Sequence, residues 1–323
     1  MRILFIASGN SPNYEIAPFI KSQRDSLLSQ GLDIDYFPIQ GKGLGGYLRN
    51  IPRLRSQLKK KRYDLIHCHY VLSGYVALLT LTKCPKVLSL MGSDAYGQYT
   101  GLNKRKVSSF FLIILTTLIQ PFFQAFISKS PNIERYIYRK KISFMIPNGV
   151  DLQRISNFEQ EIGQNIAARA KTTVLFLGDP RNPRKNLKLV RESLEMLNDA
   201  NIELMTPFPV SHDEVIRLLL TCDVLVHPSF MEGSPNLVKE AMACNCPIVA
   251  TNVGDVSWVI GDTKGCYVSS FDVSEFAHKL SNAIDYSRKH RRTNGRTRLL
   301  ELELDSSDVA LKIIKVYQHA AMK

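Results

Sequence analysis

The sequence lacks any C-x-x-C pair, and its six cysteines are scattered along 323 residues. This spacing argues against a disulfide framework or a thiol redox motif, so we expect free, mostly buried thiols in a reducing compartment. The closest pair, Cys244 and Cys246, borders a predicted helix end. The N-terminal run MRILFIASGN lacks a long apolar segment and a small-residue cleavage site, which indicates a first buried strand rather than a signal peptide.

Acidic residues are scarce in the first half of the chain. Residues 1–150 hold 7 Asp and Glu against 21 Lys and Arg, whereas residues 151–323 hold 22 against 21. The basic residues cluster in Arg49–Arg62, Lys104–Lys106 and Arg139–Lys141. An anionic partner such as an acidic membrane leaflet or a nucleic acid would fit this half, and a solvated basic face that only aids solubility is the alternative. No helix-turn-helix, RNP motif or zinc finger supports nucleic-acid binding, so we do not expect a nucleic acid as a partner.

Charge is absent altogether from Val107–Ser128, a run of 22 residues. A transmembrane helix needs about 20 predominantly apolar residues. Polar residues interrupt this run and its end resembles a strand, so we expect a buried helix followed by a strand. A helix in the membrane interface beside Lys104–Lys106 is the alternative. We expect a cytoplasmic protein that can lie peripherally on the inner face of the membrane.

Short apolar runs alternate with longer amphipathic ones in both halves, which predicts two doubly wound α/β domains with parallel sheets. The predicted domains are residues 1–150 and 151–306, joined near the turn-rich IPNGVD. The final amphipathic helix, 307–323, could pack on either domain, including back on the first. The predicted strands are Arg2–Ala7, Ile34–Pro38, Asp64–His69, Lys86–Leu90, Ala125–Ser128, Ser143–Ile146, Thr173–Leu177, Ile202–Thr206, Val224–His227, Ile248–Ala250 and Cys266–Val268.

The segment FMEGSPNLVKEAMA, Phe230–Ala243, contains a helix start that predicts an anion site. Ser234 is a suitable N-cap, and the proline after it suits the first helical position. The amides of Asn236 and Leu237 would then point out of the helix N-terminus, where phosphate is the usual occupant.

Glutamates lie on both sides of this predicted anion site, Glu232 before it and Glu240 two turns into the helix. Carboxylates do not attract a phosphate, but they accept hydrogen bonds from hydroxyl groups such as those of sugars. The segment therefore predicts a site for a phosphate that carries polyhydroxylated groups. Taken by itself, Glu240 could also be an ordinary exposed helix residue.

A basic loop, GDPRNPRK (Gly178–Lys185), follows a predicted strand and precedes the helix that begins near Leu187. Cations with several hydrogen-bond donors suit a diphosphate, although a basic loop taken by itself is more often a solvated turn. His67 and His69 alternate on one predicted strand, but no third and fourth ligand lies nearby. We therefore expect packed or hydrogen-bonded histidines, and no metal site. The loop after the first strand, with Gly9, is not a G-x-G-x-x-G fingerprint, which disfavours a dinucleotide oxidoreductase.

Taken in order, the segments HCHY, MGSD, ISKS, IPNGVD, the Gly–Lys loop and the E-x7-E segment that continues into AMACNCPIVAT resemble glycosyltransferase family 4. The resemblance covers nearly the whole chain, and Pro228–Thr251 is its most specific part. It implies a retaining enzyme that uses a nucleotide sugar and has the GT-B architecture, an α/β fold of two Rossmann-like domains facing a central cleft. The second domain would bind the donor and the first the acceptor.

The resemblance also implies roles for individual residues. Lys185 would bind the donor diphosphate, Glu232 would meet the donor sugar, and Glu240 would meet the ribose hydroxyls. Two positions depart from the family pattern: Asp179 stands where an Arg is usual, and Met91 where a His is usual. Arg181 or Arg184 could supply the second positive charge. The expected donor-binding residues are Arg181, Arg184, Lys185, Ser234, Asn236, Leu237 and Glu240, and the expected acceptor residues are Gly9, His69, Gly92 and Asp94.

We expect catalysis by Glu232 and Lys185 without a metal or cofactor, because no D-x-D follows a strand and cations with helix amides would meet the leaving charge. The expected acceptor is a glycan or a lipid-linked intermediate of cell-surface polysaccharide synthesis, since the basic half suits anionic lipid. Two alternatives are a catalytically silent sugar-nucleotide-binding partner and a nucleic-acid-binding α/β protein. The sequence leaves the nucleotide, sugar, acceptor and linkage open.

Overall fold

The structure, a computed structural model, describes residues 1–10, 16–163 and 171–322. The chain forms two compact units. Unit 1 comprises Met1–Gln98, Arg105–Gly149 and Ser306–Lys323, and unit 2 comprises Tyr99–Lys104 and Val150–Asp305. The predicted division of labour, with acceptor binding in residues 1–150 and donor binding in 151–306, stays a prediction.

The first part of the chain alternates strands with helices. Its strands are β1 (Arg2–Ser8), β2 (Asp33–Ile39), β3 (Leu65–His69), β4 (Lys86–Ser89), β5 (Tyr99–Gly101), β6 (Lys104–Arg105), β7 (Ala125–Ser128) and β8 (Ser143–Met145). Its helices are α1 (Pro18–Ser29), α2 (Gly43–Leu48), α3 (Ile51–Lys60), α4 (Val71–Leu78), α5 (Ser93–Tyr96), α6 (Phe110–Ile119) and α7 (Pro131–Glu134). All strands but the short pair β5 and β6 form one parallel sheet in the order β2-β1-β3-β4-β7-β8.

The second part repeats this alternation. Its strands are β9 (Thr172–Phe176), β10 (Ile202–Met205), β11 (Val224–His227), β12 (Ile248–Thr251) and β13 (Cys266–Ser269). Its helices are α8 (Leu152–Ile162), α9 (Leu187–Leu197), α10 (His212–Thr221), α11 (Asn236–Ala243), α12 (Val256–Ile260), α13 (Val273–His290), α14 (Gly295–Glu301) and α15 (Ser306–Ala321). The five strands form a parallel sheet in the order β10-β9-β11-β12-β13. The last helix, α15, belongs to unit 1 and packs against α1.

Both sheets reverse their strand order once. The second strand of each unit lies at one edge beside the first, and the chain then crosses to the other side of the first strand. The reversal falls between β1 and β3 in unit 1 and between β9 and β11 in unit 2. Open α/β sheets bind ligands beyond the carboxyl ends of the strands at such a reversal. The loops after these four strands are therefore where a site is expected.

All eleven predicted strands are present, with ends within one residue of those predicted. Parallel strands are covered on both faces, which is why they have unbroken apolar sequences that are easy to recognise. The hairpin formed by β5 and β6 was not predicted, because it is short and carries no apolar alternation. It follows α5, and β5 packs in unit 2 against the 3-10 turn Pro183–Lys185.

The uncharged stretch Val107–Ser128 is divided into a 3-10 turn, α6, a second 3-10 turn and β7. Among the described residues, no helix is both long enough and apolar enough to cross a bilayer. The prediction of a buried helix and strand is right for β7 and wrong for α6, in which only Thr116 and Ile119 are buried. The physical reason is that α6 packs against α4 and α5 on one side and leaves its opposite side exposed.

Candidate functional site

The loops after β9 and β11 bring two cations onto one carboxylate. Lys185 Nζ lies 2.7 Å from Glu232 Oε1, and Arg184 Nη1 lies 2.8 Å from Glu232 Oε2. Only 14% of the Glu232 side chain is exposed, so these pairs are shielded from bulk water. The three residues therefore form a compact charged cluster at the strand reversal of unit 2, where a ligand site is expected from the topology.

The local backbone explains how Lys185 reaches this position. Arg184 and Lys185 belong to the 3-10 turn Pro183–Lys185, and the side-chain oxygen of Asn182 accepts a hydrogen bond from the Arg184 amide at 3.1 Å. Gly178 has φ +156°, and a Cβ there would lie 3.3 Å from Lys185 Cγ. Glycine thus lets the lysine side chain pass close to the backbone. Arg184 also donates to the carbonyl of Met231 at 2.7 Å, which ties the two loops together.

The charges of the cluster determine its protonation. Burial by itself would raise the pKa of Glu232, but the charges of Lys185, of Arg184 and, once it is protonated at low pH, of His227 outweigh burial and lower this pKa to about 2. His227 lies at the end of β11 with Nε2 3.8 Å from Glu232 Oε1. Burial, with the charge of Lys185 added, lowers the pKa of His227 to about 4. At neutral pH the cluster therefore contains a neutral histidine, one carboxylate and two cations.

Arg181 does not join this cluster. Its guanidinium pairs with Asp179, with Nε 3.0 Å from Oδ1, and 82% of its side chain is exposed. Of the two arginines predicted as the second positive charge, the structure places only Arg184 beside Lys185. The reason is that Asp179 pairs with Arg181 at the exposed surface of the loop.

Glu240 is held by a histidine that the sequence analysis did not single out. His212 Nε2 lies 2.9 Å from Glu240 Oε1, and Glu240 is only 15% exposed. Arg154 Nη1 lies 3.2 Å from the other ring nitrogen of His212 and also pairs with Asp213. Glu240 is therefore a positioned carboxylate rather than an ordinary exposed helix residue. One signal could have pointed to His212: it directly follows the N-cap Ser211 of the helix after β10.

Ser234 is not the N-cap that the sequence predicts. The helix begins one residue later than expected, at Asn236, with the preceding proline in the N-cap position. The Ser234 hydroxyl instead donates to Asp255 Oδ2 at 2.6 Å and accepts from Lys239 Nζ at 2.8 Å. Lys239 is fully buried, so its ammonium group requires a hydrogen-bond acceptor, and the Ser234 hydroxyl serves this group instead of capping the helix.

The hydrogen bonds of Ser234 with Asp255 and Lys239 lie close to the predicted anion site. They hold the loop that connects Glu232 to α11, whose first turn contains the amides of Asn236 and Leu237. These amides lie at the positive end of the helix, as the sequence predicts. Burial lowers the pKa of Lys239, against the opposing effect of Asp255 and Glu240, and burial raises the pKa of Asp255.

In unit 1, Gly9 and His69 lie at the strand reversal between β1 and β3. The Gly9 amide donates to the carbonyl of Ile39 at 2.8 Å, and a Cβ on Gly9 would lie 2.7 Å from Pro38 Cβ. His69 is buried against Phe5, with ring centroids 4.7 Å apart. Neither ring nitrogen of His69 has a hydrogen-bond partner among the described residues. Burial, with the charge of Lys129 added, lowers the pKa of His69 to about 3, so its ring is neutral.

His67, the other histidine of β3, is satisfied within unit 1. Its Nδ1 lies 2.7 Å from the Tyr317 hydroxyl of α15, and its Nε2 lies 2.7 Å from Ser89 Oγ. These contacts are those of a hydrogen-bonded core histidine, the alternative that the sequence favoured over a metal ligand. Across the described ranges, no group of three His, Cys, Asp or Glu side chains could hold a metal ion.

Asp94 acts as a backbone anchor. Its Oδ1 accepts from the amides of Met91 (2.8 Å) and Gly92 (3.0 Å), and its Oδ2 accepts from the amide of Val71 (3.0 Å). These three hydrogen bonds tie the loop after β4 to the first residue of α4. Burial raises the pKa of Asp94 to about 6, against the lowering effect of these amides. Gly92 has φ +111°, and a Cβ there would lie 2.6 Å from the Tyr96 hydroxyl, so only glycine fits this turn.

Comparison with known families matches two models along the chain. Residues 18–154 match the model described as Glycosyltransferase Family 4, and residues 149–285 match the model described as Glycosyl transferases group 1. The two matches together cover all the segments that carried the resemblance.

Curated relatives are glycosyltransferases of modest identity. An uncharacterized glycosyltransferase, MJ1178, of Methanocaldococcus jannaschii is 28% identical over 67% of this chain, and the alignment spans 64% of its own length. An Escherichia coli protein is 22% identical over 74% of this chain and 70% of its own length. Its name is UDP-Gal:alpha-D-GlcNAc-diphosphoundecaprenol alpha-1,3-galactosyltransferase. The chain thus aligns with a little under two thirds of the first of these proteins.

Solved structures show the same fold. The sucrose-phosphate synthase of Thermosynechococcus elongatus superposes with a TM-score of 0.74 at 16% identity, covering 98% of both chains. At this level of sequence identity, the similarity supports the fold but not the activity or the substrate. The α/β fold class expected from the sequence, two Rossmann-like domains with parallel sheets, is confirmed.

Proposed function

Because the chain belongs to the family 4 and group 1 glycosyltransferases, we propose that it transfers a sugar from a nucleotide sugar to a glycan or lipid-linked acceptor. The observation that carries this proposal is the cluster of Lys185, Arg184 and Glu232 at the strand reversal of unit 2. A diphosphate is bound best by cations that have several hydrogen-bond donors. A sugar is bound best by a fixed carboxylate that accepts hydrogen bonds from its hydroxyl groups. The cluster holds both kinds of group in contact with each other.

Donor binding in this proposal is an exchange of partners. In the described structure the side chains of Lys185 and Arg184 pair with Glu232. When the nucleotide sugar binds, these two side chains form their hydrogen bonds to its diphosphate instead. The freed carboxylate of Glu232 then accepts hydrogen bonds from the donor sugar. The amides of Asn236 and Leu237 add the positive end of α11 to the diphosphate site. Glu240, held by His212, accepts from the ribose hydroxyls.

We propose that the transfer retains the configuration of the donor sugar through attack on the same face. The acceptor oxygen forms a bond to the anomeric carbon while the bond from that carbon to the phosphate oxygen breaks, and the acceptor proton passes to the leaving phosphate. Lys185 and Arg184 stabilise the charge that develops on the leaving diphosphate. These cations make a metal ion unnecessary, so turnover should persist in EDTA. An inverted product, identified from the anomeric proton coupling by NMR, would exclude this mechanism.

The acceptor proposed here is a lipid-linked intermediate, with Gly9, His69, Gly92 and Asp94 near it in unit 1. The excess of basic residues in residues 1–150 supports an anionic membrane surface close to the acceptor. The name of the Escherichia coli relative, a galactosyltransferase acting on a diphosphoundecaprenol-linked sugar, supports the same class of acceptor. We therefore place the protein at the cytoplasmic face of the membrane, in the synthesis of a cell-surface polysaccharide.

Thermal-shift screening against UDP, GDP and ADP sugars tests the donor site, because ligand binding to the native state raises the melting temperature. The Glu240→Ala variant should bind the nucleotide more weakly, whereas Lys185→Ala should mainly slow turnover. If no nucleotide sugar shifts the melting temperature of the parent protein, the proposed donor site is wrong.

One observation favours a second candidate function. Asp179 brings a negative charge to the loop that would hold the diphosphate, and it engages Arg181. The protein could therefore bind a sugar nucleotide without transferring the sugar. A thermal shift without any transfer or donor hydrolysis would favour this silent partner, and an Asp179→Arg variant that gained activity would identify the cause.

A further inference from the structure

The outer face of α6 carries a row of exposed apolar side chains. Phe110, Ile114 and Leu118 follow one another at four-residue intervals, and Phe122 continues the row in the next 3-10 turn. With Phe111 beside them, these side chains are 48–59% exposed. Residues spaced by four lie on one side of a helix, so the row is a continuous strip. An exposed apolar strip of this kind marks an interaction surface.

Cations lie at both ends of this strip. At the start, the Arg105 guanidinium lies 5.3 Å from the centre of the Phe110 ring, and Lys106 follows it in the chain. At the other end, Arg139 donates to the carbonyls of Gln120 (2.9 Å) and Phe123 (3.0 Å). Lys140 and Lys141 directly follow this anchored arginine in the chain, and both are exposed.

Negative charge is almost missing from this part of unit 1. Between Ala95 and Val150 the only acidic residue is Glu134, and it is engaged by Lys140 at 3.4 Å and by the hydroxyls of Ser128 and Ser143. The segment of the chain that contains the strip therefore carries a net positive charge. An uncharged apolar strip with cations at each end is the pattern of a helix that lies in a membrane interface.

We propose that α6 binds the surface of an anionic bilayer, with its apolar strip among the acyl chains and the flanking cations at the lipid phosphates. A second copy of the chain is a poorer occupant. Any two-fold pairing of this face would bring a basic end against a basic end, because both ends carry cations. An anionic lipid complements both parts of the surface, because its acyl chains match the apolar strip and its phosphate matches the cations at the two ends. The proposal rests on the proposed function, because it assigns the membrane contact of the lipid-linked acceptor to a defined surface.

Vesicle flotation of the whole chain tests this proposal without donor or acceptor. Parent protein should float with vesicles of phosphatidylcholine mixed with phosphatidylglycerol, and much less with phosphatidylcholine alone. The double variant Ile114→Gln and Leu118→Gln should bind about tenfold more weakly, since two apolar side chains no longer leave water. The variant Lys140→Glu and Lys141→Glu should lose the preference for the anionic vesicles.

A matched control changes two equally exposed apolar residues of unit 2. Met196 and Leu300 are 59% and 52% exposed, so Met196→Gln with Leu300→Gln should leave vesicle binding unchanged. Circular dichroism and the nucleotide thermal shift should be the same for all variants, because none of the changed residues lies in the proposed donor site.

Three results would overturn the assignment of α6. The first is a parent protein that ignores anionic vesicles although nucleotide sugars still raise its melting temperature, which would leave the proposed glycosyl transfer intact. The second is vesicle binding that the α6 variant and the control variant reduce equally. The third is a concentration-dependent dimer in light scattering that only the α6 variant abolishes, since the strip would then be a contact between copies. Vesicle binding without any nucleotide shift would support α6 and refute the donor site.

Discussion

The cluster of Lys185, Arg184 and Glu232 predicts a specific response to the substitution Glu232→Gln. Glutamine keeps the size of the side chain but removes the charge, and its amide nitrogen would face one of the two cations. Both cations are largely shielded from water, with side chains 20% and 28% exposed. Removing one partner of such a group leaves uncompensated charge, which is more costly than losing an exposed ion pair.

The magnitude follows from the titration of Glu232. Its pKa of about 2, against an ordinary value of 4.5, corresponds to at most roughly 3 kcal/mol of stabilisation, and at neutral pH, where His227 is uncharged, only the share from Lys185 and Arg184 remains. The folded-state pKa is the lower one, so this stabilisation is fully present above pH 4.5 and is lost as the pH falls toward 2. At pH 3 the same relation leaves about 1.4 kcal/mol. The variant should thus be less stable by up to about 3 kcal/mol at pH 7 and by less at pH 3.

The chain offers a convenient probe and a control for this measurement. Its single tryptophan, Trp258, lies in α12 of unit 2, so its fluorescence in urea reports the unfolding of the unit that holds Glu232. Glu192→Gln removes the same group from an exposed pair with Lys188 and should cost no more than about 0.5 kcal/mol.

A ligand should partly reverse the effect of Glu232→Gln. A nucleoside diphosphate supplies the negative charge that the variant lacks, so it should stabilise the variant at least as much as the parent. If Glu232→Gln were as stable as the parent at pH 7, or if its loss of stability did not depend on pH, the electrostatic account of the cluster would be refuted.

Three further predictions follow from the contacts around the site. His212→Ala should raise the nucleotide Kd about tenfold, because Glu240 loses the ring that positions it, and isothermal titration would check this. Lys239→Met should destabilise unit 2 by about 3 kcal/mol by leaving the charge of Asp255 buried and unpaired, and adding Asp255→Asn should restore much of the loss in urea unfolding. Gly92→Ala should lower stability by at least ~1 kcal/mol in calorimetry, because φ is +111° and the new Cβ meets the Tyr96 hydroxyl.

Much of the fold could be predicted from the sequence because parallel strands are buried on both faces. Their apolar runs contrast with the amphipathic helices between them, and turn residues mark the ends. The hairpin of β5 and β6 escaped prediction because it has too few residues for any periodicity. The exposed face of α6 was not predicted for a different reason. A run of apolar residues does not show which of its side chains pack against other elements and which stay exposed.

Some residues of the candidate site were named from the sequence, but their contacts were not. The contacts that the sequence did not show have a common cause. Glu232 and Lys185 were identified from local spacing and chain order, but their contact across 47 positions in the sequence exists only in the folded unit. Ser234 was assigned as a helix cap from local preference, whereas the buried ammonium of Lys239 outcompetes the cap for its hydroxyl. His212 could not be linked to Glu240 because they lie on different helices.

The sequence by itself determined the two parallel sheets and the order of their elements, and its motifs pointed to the family by resemblance. It also supplied the residue types that the proposed diphosphate and sugar sites require. The sheets, the helix start and the charged loop could be predicted because they depend on local features: apolar periodicity, helix-start chemistry and the spacing of charged residues. The tertiary structure alone decided which charges pair, which arginine accompanies Lys185, and which face of α6 remains exposed. Those outcomes depend on distances between segments far apart in the chain, and on the burial that makes an unpaired charge costly.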